Sequence, residues 1–152
     1  RVCGELGVDG VVIGALTPCG DIDIDVSRRL IARAKGMSVT FHRAFDVCRR
    51  PFESLEQIIS LGCDRLLTSG QAPTAEKGID LLCQLVAKAQ GRLVVMPGSG
   101  VNPDNAAAIL DATDTAEIHA SARSSRVFGR PETDRLVVEA IVRNINPTIC
   151  LS

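Results

Sequence analysis

The stretch Ser38-Val39-Thr40-Phe41-His42-Arg43-Ala44-Phe45-Asp46 decides how the rest of the chain reads. Val39, Thr40 and Phe41 are β-branched or aromatic and favour a strand. The run ends in three chemically active side chains, His42, Arg43 and Asp46. A helical period begins at Phe52, so the segment reads as a strand feeding a βα turn. Parallel α/β folds gather their ligand chemistry at the carboxyl ends of strands. His42, Arg43 and Asp46 are therefore candidate catalytic residues of a mouth. The competing reading is a packed histidine beside a structural Arg43–Asp46 ion pair.

Working outward, residues 1–6 read as the tail of a helix stopped by Gly7. Residues 10–16 are rich in Val and Ile without polar alternation, as in a strand buried on both faces. Val26, Leu30, Ile31 and Ala34 share one face of a helix over 24–34. Pro51 suits the first position of the next helix, which carries Phe52, Leu55 and Ile59. A strand at 65–68, a helix over 75–89 and a strand at 93–96 follow. Asn102-Pro103 reads as N-cap and first residue of a further helix. A fifth strand is expected at 117–120. Then come a loop holding Arg123, Arg126 and Arg130, and a last helix capped by Thr133 or Asp134.

This is a series of five βα units, with strands recurring about every 24–29 residues. The pattern fits a doubly wound sheet or part of a (β/α)8 barrel. A whole barrel takes about 250 residues, so five units in 152 residues suit the last five-eighths of one. The fold class predicted is thus α/β, a partial TIM barrel in one domain over 1–152. The doubly wound rival lacks its fingerprint, because Thr17-Pro18-Cys19-Gly20 is not G-x-G-x-x-G. An incomplete barrel would leave unpaired edges at its first and fifth strands.

Composition narrows the partners. A net charge of −1 argues against nucleic acid or an anionic membrane surface as the main partner. With no Trp or Tyr, base-stacking platforms are also disfavoured. No apolar run is long enough to cross a bilayer, and no signal peptide is visible. Six cysteines occur without any C-x-x-C pair, so a zinc-ribbon framework is excluded and free cytosolic thiols are the default.

Strand alternation places Thr40 with His42, and Glu117 with His119 and Ser121, on one polar face. That face suits a barrel interior growing wetter toward its mouth, and makes His119 a second acid–base candidate. Gly98-Ser99-Gly100 and Ser121-Ala122-Arg123 follow the last two strands, the pair of loops that binds phosphate in many barrels. Glycines let backbone N–H groups approach an anion. Gly98, Ser99, Gly100, Ser121 and Arg123 are the candidate anion-binding residues.

Four motifs carry a resemblance: residues 39–46, Leu67-Thr-Ser-Gly70, Val94-Val-Met-Pro-Gly-Ser-Gly100 and His119-Ala-Ser-Ala-Arg123. Together with Gly10-Val-Val-Ile-Gly-Ala-Leu-Thr17 they resemble the CutC copper-homeostasis family, in order and over nearly the whole chain. The resemblance implies a cytoplasmic (β/α)8 barrel connected with copper binding and tolerance, the chain supplying strands 4 to 8. The turn at 98–100 departs from the family's usual three glycines, and the first three strand units are absent. Copper, as Cu(I), prefers thiolates. Cys19 and Cys48 lie in loops after strands and are the metal-ligand candidates, while Cys63 and Cys83 read as packing. Two other readings stand beside this one: a TIM-barrel enzyme acting on a small anionic or phosphorylated metabolite, and a truncated product without its own activity. The sequence leaves self-association open.

Overall fold

The computed structural model describes residues 2–124 and 132–146. Four parallel strands form the sheet: β1 (Gly10–Ile13), β2 (Ser38–Phe41), β3 (Arg65–Thr68) and β4 (Val94–Pro97), in spatial order β1-β2-β3-β4. Register runs Ile13↔Phe41, Phe41↔Leu66 and Leu66↔Val95. Helices α1 (Val2–Glu5), α2 (Ile24–Arg33), α3 (Pro51–Ser60), α4 (Ile79–Ala89), α5 (Ala106–Thr113) and α6 (Arg135–Ile145) complete the main architecture. No helix among the described residues is long and apolar enough to cross a membrane.

Successive strand residues point to opposite faces, and the two faces differ sharply. Val39, Phe41, Leu66, Val95 and Pro97 point to the helix side and are buried with Leu55, Ile58, Leu82, Leu85 and Ile109. Thr40, Arg65, Leu67, Val94 and Met96 occupy the other face and are only half-buried. The sequence predicts a β1 covered on both faces, yet Val12 is 62% exposed. Among the described residues the sheet carries helices on its outer face alone. The inner face mixes Thr40, His42 and Arg65 with Val12, Leu67 and Met96, so it is less polar than expected.

The helix starts follow the sequence closely. Asp23 caps α2 by accepting from the Val26 N–H at 2.9 Å, Pro51 opens α3, and Asp134 caps α6 by accepting from the Leu136 N–H at 2.9 Å. Leu30, expected inward, is 42% exposed, and Ser27 is buried in its place. The helix expected over 75–89 divides into a 3-10 turn (Glu76–Gly78) and α4. Asn102 does not cap α5. Its Oδ1 accepts from the Asp104 N–H at 2.9 Å, closing a separate turn, and α5 starts three residues after Pro103 with Asn105 as its N-cap.

The expected fifth strand does not form. Residues 117–120 meet β4 through one parallel bridge, Gly98↔His119, with the His119 N–H donating to the Pro97 carbonyl at 2.9 Å. The cause is local. The Thr115 hydroxyl donates to the Val95 carbonyl oxygen, the acceptor a lengthening ladder would use next. Across the inner face, Arg65 Nε donates to Glu117 Oε2 at 2.6 Å and Nη1 to Ser38 Oγ at 2.6 Å. After Ala122, at φ 47°, the chain enters a two-stranded antiparallel pair, β5 (Arg123–Ser124) with β6 (Glu132–Thr133), which the sequence reading did not contain.

Candidate functional site

β2 delivers His42 and Arg43 to the carboxyl end of the sheet. The His42 N–H donates to the Ile13 carbonyl at 2.8 Å, and its Nδ1 accepts from the Ala44 N–H at 3.1 Å, capping a 3-10 turn over Arg43–Val47. With Nδ1 accepting, the ring proton of the neutral imidazole sits on Nε2. A Cβ at Gly14 would lie 2.2 Å from His42 Cε1, so the ring rests on the backbone just past β1, which only glycine leaves bare.

The 3-10 turn aims Asp46 back under Arg43. Asp46 Oδ2 accepts from Arg43 Nε at 2.6 Å. Oδ1 accepts from the Ser69 N–H at 3.0 Å and from the Thr68 hydroxyl. Arg43 Nη2 also donates to Ser69 Oγ at 3.2 Å. The single Ser69 hydroxyl proton serves either Asp46 Oδ2 at 2.9 Å or the Ala72 carbonyl at 2.6 Å. Asp46 has 9% of its side chain exposed and Arg43 has 44%. The carboxylate is an interior anchor and the guanidinium a surface group.

The loop holding Ser69 is itself held by a main-chain crossing. A Cβ at Gly78 would lie 1.9 Å from the Ser69 carbonyl oxygen, and one at Gly70 would lie 2.4 Å from the Gly78 carbonyl oxygen. Gly70 also adopts φ +68°, which side chains rarely tolerate.

Beside Arg43 opens a cavity of about 210 Å³, lined by Arg43, Leu67, Ser99, Gly100, His119 and Ser121 among others. Ser99 and Gly100 have φ of 92° and 70°. The Ser99 carbonyl accepts from the Ala75 N–H at 3.0 Å and its hydroxyl donates to the Pro73 carbonyl at 3.0 Å, fixing the turn. Among the described residues the backbone N–H groups of Gly100 and Val101 meet no acceptor, and both residues line the cavity, while the Ser99 N–H faces the His119 carbonyl across the Gly98↔His119 bridge. Gly98 lies beneath. A Cβ there would come within 2.5 Å of Leu67 Cδ1 and 3.3 Å of His119 Cβ.

Of the residues singled out in the sequence, Arg43, His119, Ser99, Gly100 and Ser121 line this one cavity. His42, Asp46 and Gly98 support the cavity from outside its lining. Arg123 does not reach it: the residue is exposed and paired with Thr133 in β5–β6. Arg126 and Arg130 lie outside the described residues. Thr68, Ser69 and Gln71 were missed, because nothing in a Ser-Gly turn announces a carboxylate partner more than twenty positions earlier.

Among the described residues the thiols do not assemble a metal centre. Arg49 Nη1 donates to the Cys19 carbonyl at 3.2 Å, so the loops of Cys19 and Cys48 touch. Cys19 is exposed, but Cys48 is buried, its Sγ accepts from Gln71 Nε2 at 3.3 Å, and burial pushes the thiol up. A thiol held protonated is a poor copper ligand. Cys63 is also buried, its thiol pushed up to about 11, as a packing residue would be. Cys83, half-buried, donates to the Ala112 carbonyl. Among the described residues no three His, Cys, Asp or Glu side chains are arranged to hold a metal ion, so these residues do not fit a copper cage.

Fold and cavity define a parallel α/β protein with a donor-lined cleft at the carboxyl ends of its strands. The profile of the CutC family matches residues 1–124. A CutC family protein of Parabacteroides distasonis is 58% identical over 124 residues, covering 82% of this chain and 51% of that protein. The crystal structure of a candidate copper homeostasis protein CutC from Streptococcus agalactiae superposes with a TM-score of 0.73 at 31% identity, over 76% of this chain and 57% of that one. Thiamine phosphate pyrophosphorylase from Pyrococcus furiosus, at 22% identity and a TM-score of 0.64, covers 98% of this chain and 65% of its own, a likeness of fold alone. The chain belongs to the CutC family. It spans about half the length of the curated relatives it matches.

Proposed function

We propose that this chain serves copper homeostasis in the cytoplasm as the part of a CutC-type (β/α)8 barrel that corresponds to its strands 4 to 8, the last of them reduced here to the single bridge at His119, and that its mouth binds a small oxyanion. The observation that carries the anion reading is the pair of unsatisfied N–H groups at Gly100 and Val101 beside the Arg43 guanidinium. Consecutive N–H groups near left-handed backbone make anion-binding concavities. Copper enters with the family. Of the two thiols predicted to meet Cu(I), only Cys19 is accessible, and no copper step is assigned to the described residues.

Titration of the full chain with inorganic phosphate by calorimetry tests the mouth, with Gly98→Val as the probe. The valine side chain would drive against Leu67 and His119, both lining residues. Phosphate binding should weaken at least about tenfold, some 1.4 kcal/mol. Equal affinity in parent and variant would move the anion elsewhere.

A further inference from the structure

We infer that Asp46 is a positioning residue that locks Arg43 so that the mouth reads oxyanion shape rather than net charge, and that its ligand class is the tetrahedral oxyanion of a phosphate ester. The inference rests on the anion reading proposed above and goes further by naming what sets its selectivity.

Arginine has five N–H donors in a planar fork. Asp46 takes the Nε proton and Ser69 Oγ takes one from Nη2, which leaves both Nη1 protons and one on Nη2. Among the described residues Nη1 has no acceptor. Those free protons form the end of the fork that grips two oxygens of one anion. Because Asp46 is almost fully covered and tied to Ser69 N and Thr68, Arg43 is held against an anchor that cannot swing away.

The same carboxylate cancels Arg43's charge at contact distance. The remaining donors, the N–H groups of Gly100 and Val101 and the Ser121 hydroxyl, are neutral. Donors of this kind, arriving from several directions, favour a ligand with oxygens on several sides. Phosphate offers this, chloride has no separate oxygens, and a carboxylate offers two in one plane. Compensated charge also implies shallow salt dependence.

The experiment is a double-mutant cycle on the full chain, read by phosphate calorimetry with chloride as competitor. The substitution Asp46→Asn keeps the shape of the side chain and removes its charge, and it turns either an N–H or a weaker carbonyl oxygen toward Arg43 Nε. It should weaken phosphate binding about tenfold and lower the phosphate-to-chloride preference, yet change affinity less than about twofold in an Arg43→Lys background. Ser69→Ala keeps the carboxylate and removes one Arg43 anchor. It should show the same dependence on Arg43 at smaller size, and it serves as the reading if Asp46→Asn fails to fold. Equal losses in both backgrounds would mean that Asp46 only supports the loop, and no loss would mean that it does nothing for the anion. Either overturns the inference while leaving the anion reading intact. A parent chain that binds no phosphate takes both down.

Discussion

The two faces of the sheet are built on different terms. On the outer face alternate residues disappear completely: Phe41, Leu66 and Pro97 have essentially no exposed surface, and helices close over them. On the inner face the intervening residues stay half-exposed and are joined by polar links, above all Ser38–Arg65–Glu117. Stability is concentrated on the first face and placement of functional groups on the second. A substitution should therefore act on melting or on binding according to the parity of its position in a strand.

The largest effect expected from breaking that division is on the outer face. Phe41→Ala removes a fully buried ring from the middle of the core and should cost about 3–5 kcal/mol, read from urea unfolding. A loss below about 1 kcal/mol would mean that the core does not depend on this face.

A smaller effect sharpens the same point through pH. Cys63 enters the outer core just before β3, and burial lifts its thiol from 9.0 to about 11. In the unfolded chain the thiol ionises first, so its contribution is intact below pH 9 and is lost as pH rises from 9 toward 11. The loss should approach about 2–3 kcal/mol, and Cys63→Ala should remove that part of the alkaline slope. An unchanged slope would refute it.

The smallest expected effect is on the inner face. Arg65 and Glu117 are each about one-third exposed, and such pairs are worth about 0–1 kcal/mol. Glu117→Gln should barely move the melting temperature, yet loosen residues 117–120, which β4 holds by one bridge. Hydrogen exchange at the His119 amide would register it. Exchange as slow as in the parent would show that the Thr115 and Pro97 contacts suffice.

The division between faces is legible in the sequence where packing decides the outcome. Val39 and Phe41, Leu55, Leu82 and Leu85 declare themselves by period and are buried. The strand expected at 117–120 fails, because a hydroxyl at Thr115 competes for a ladder acceptor, and such competition has no periodic signal. In the site, Arg43, His119, Ser99, Gly100 and Ser121 are readable because strand ends and glycine turns are local marks. Asp46 stands out in the sequence, but its place beneath the mouth does not, since its partners Thr68 and Ser69 come from another strand. Cys48 and Arg123 are singled out by loop position alone. Position in a loop says nothing about burial, which hides Cys48, or about a later strand such as β6, which captures Arg123.

The crossing of Gly70 and Gly78 has a genetic meaning. At most tight positions a second mutation can relieve a clash by shortening the neighbouring side chain. Here each added Cβ would strike a main-chain carbonyl, an atom that every amino acid carries. No substitution elsewhere in the crossing can make room. A screen for suppressors of Gly78→Ala should return the glycine itself, and the loop that steadies Asp46 would be repaired by reversion alone.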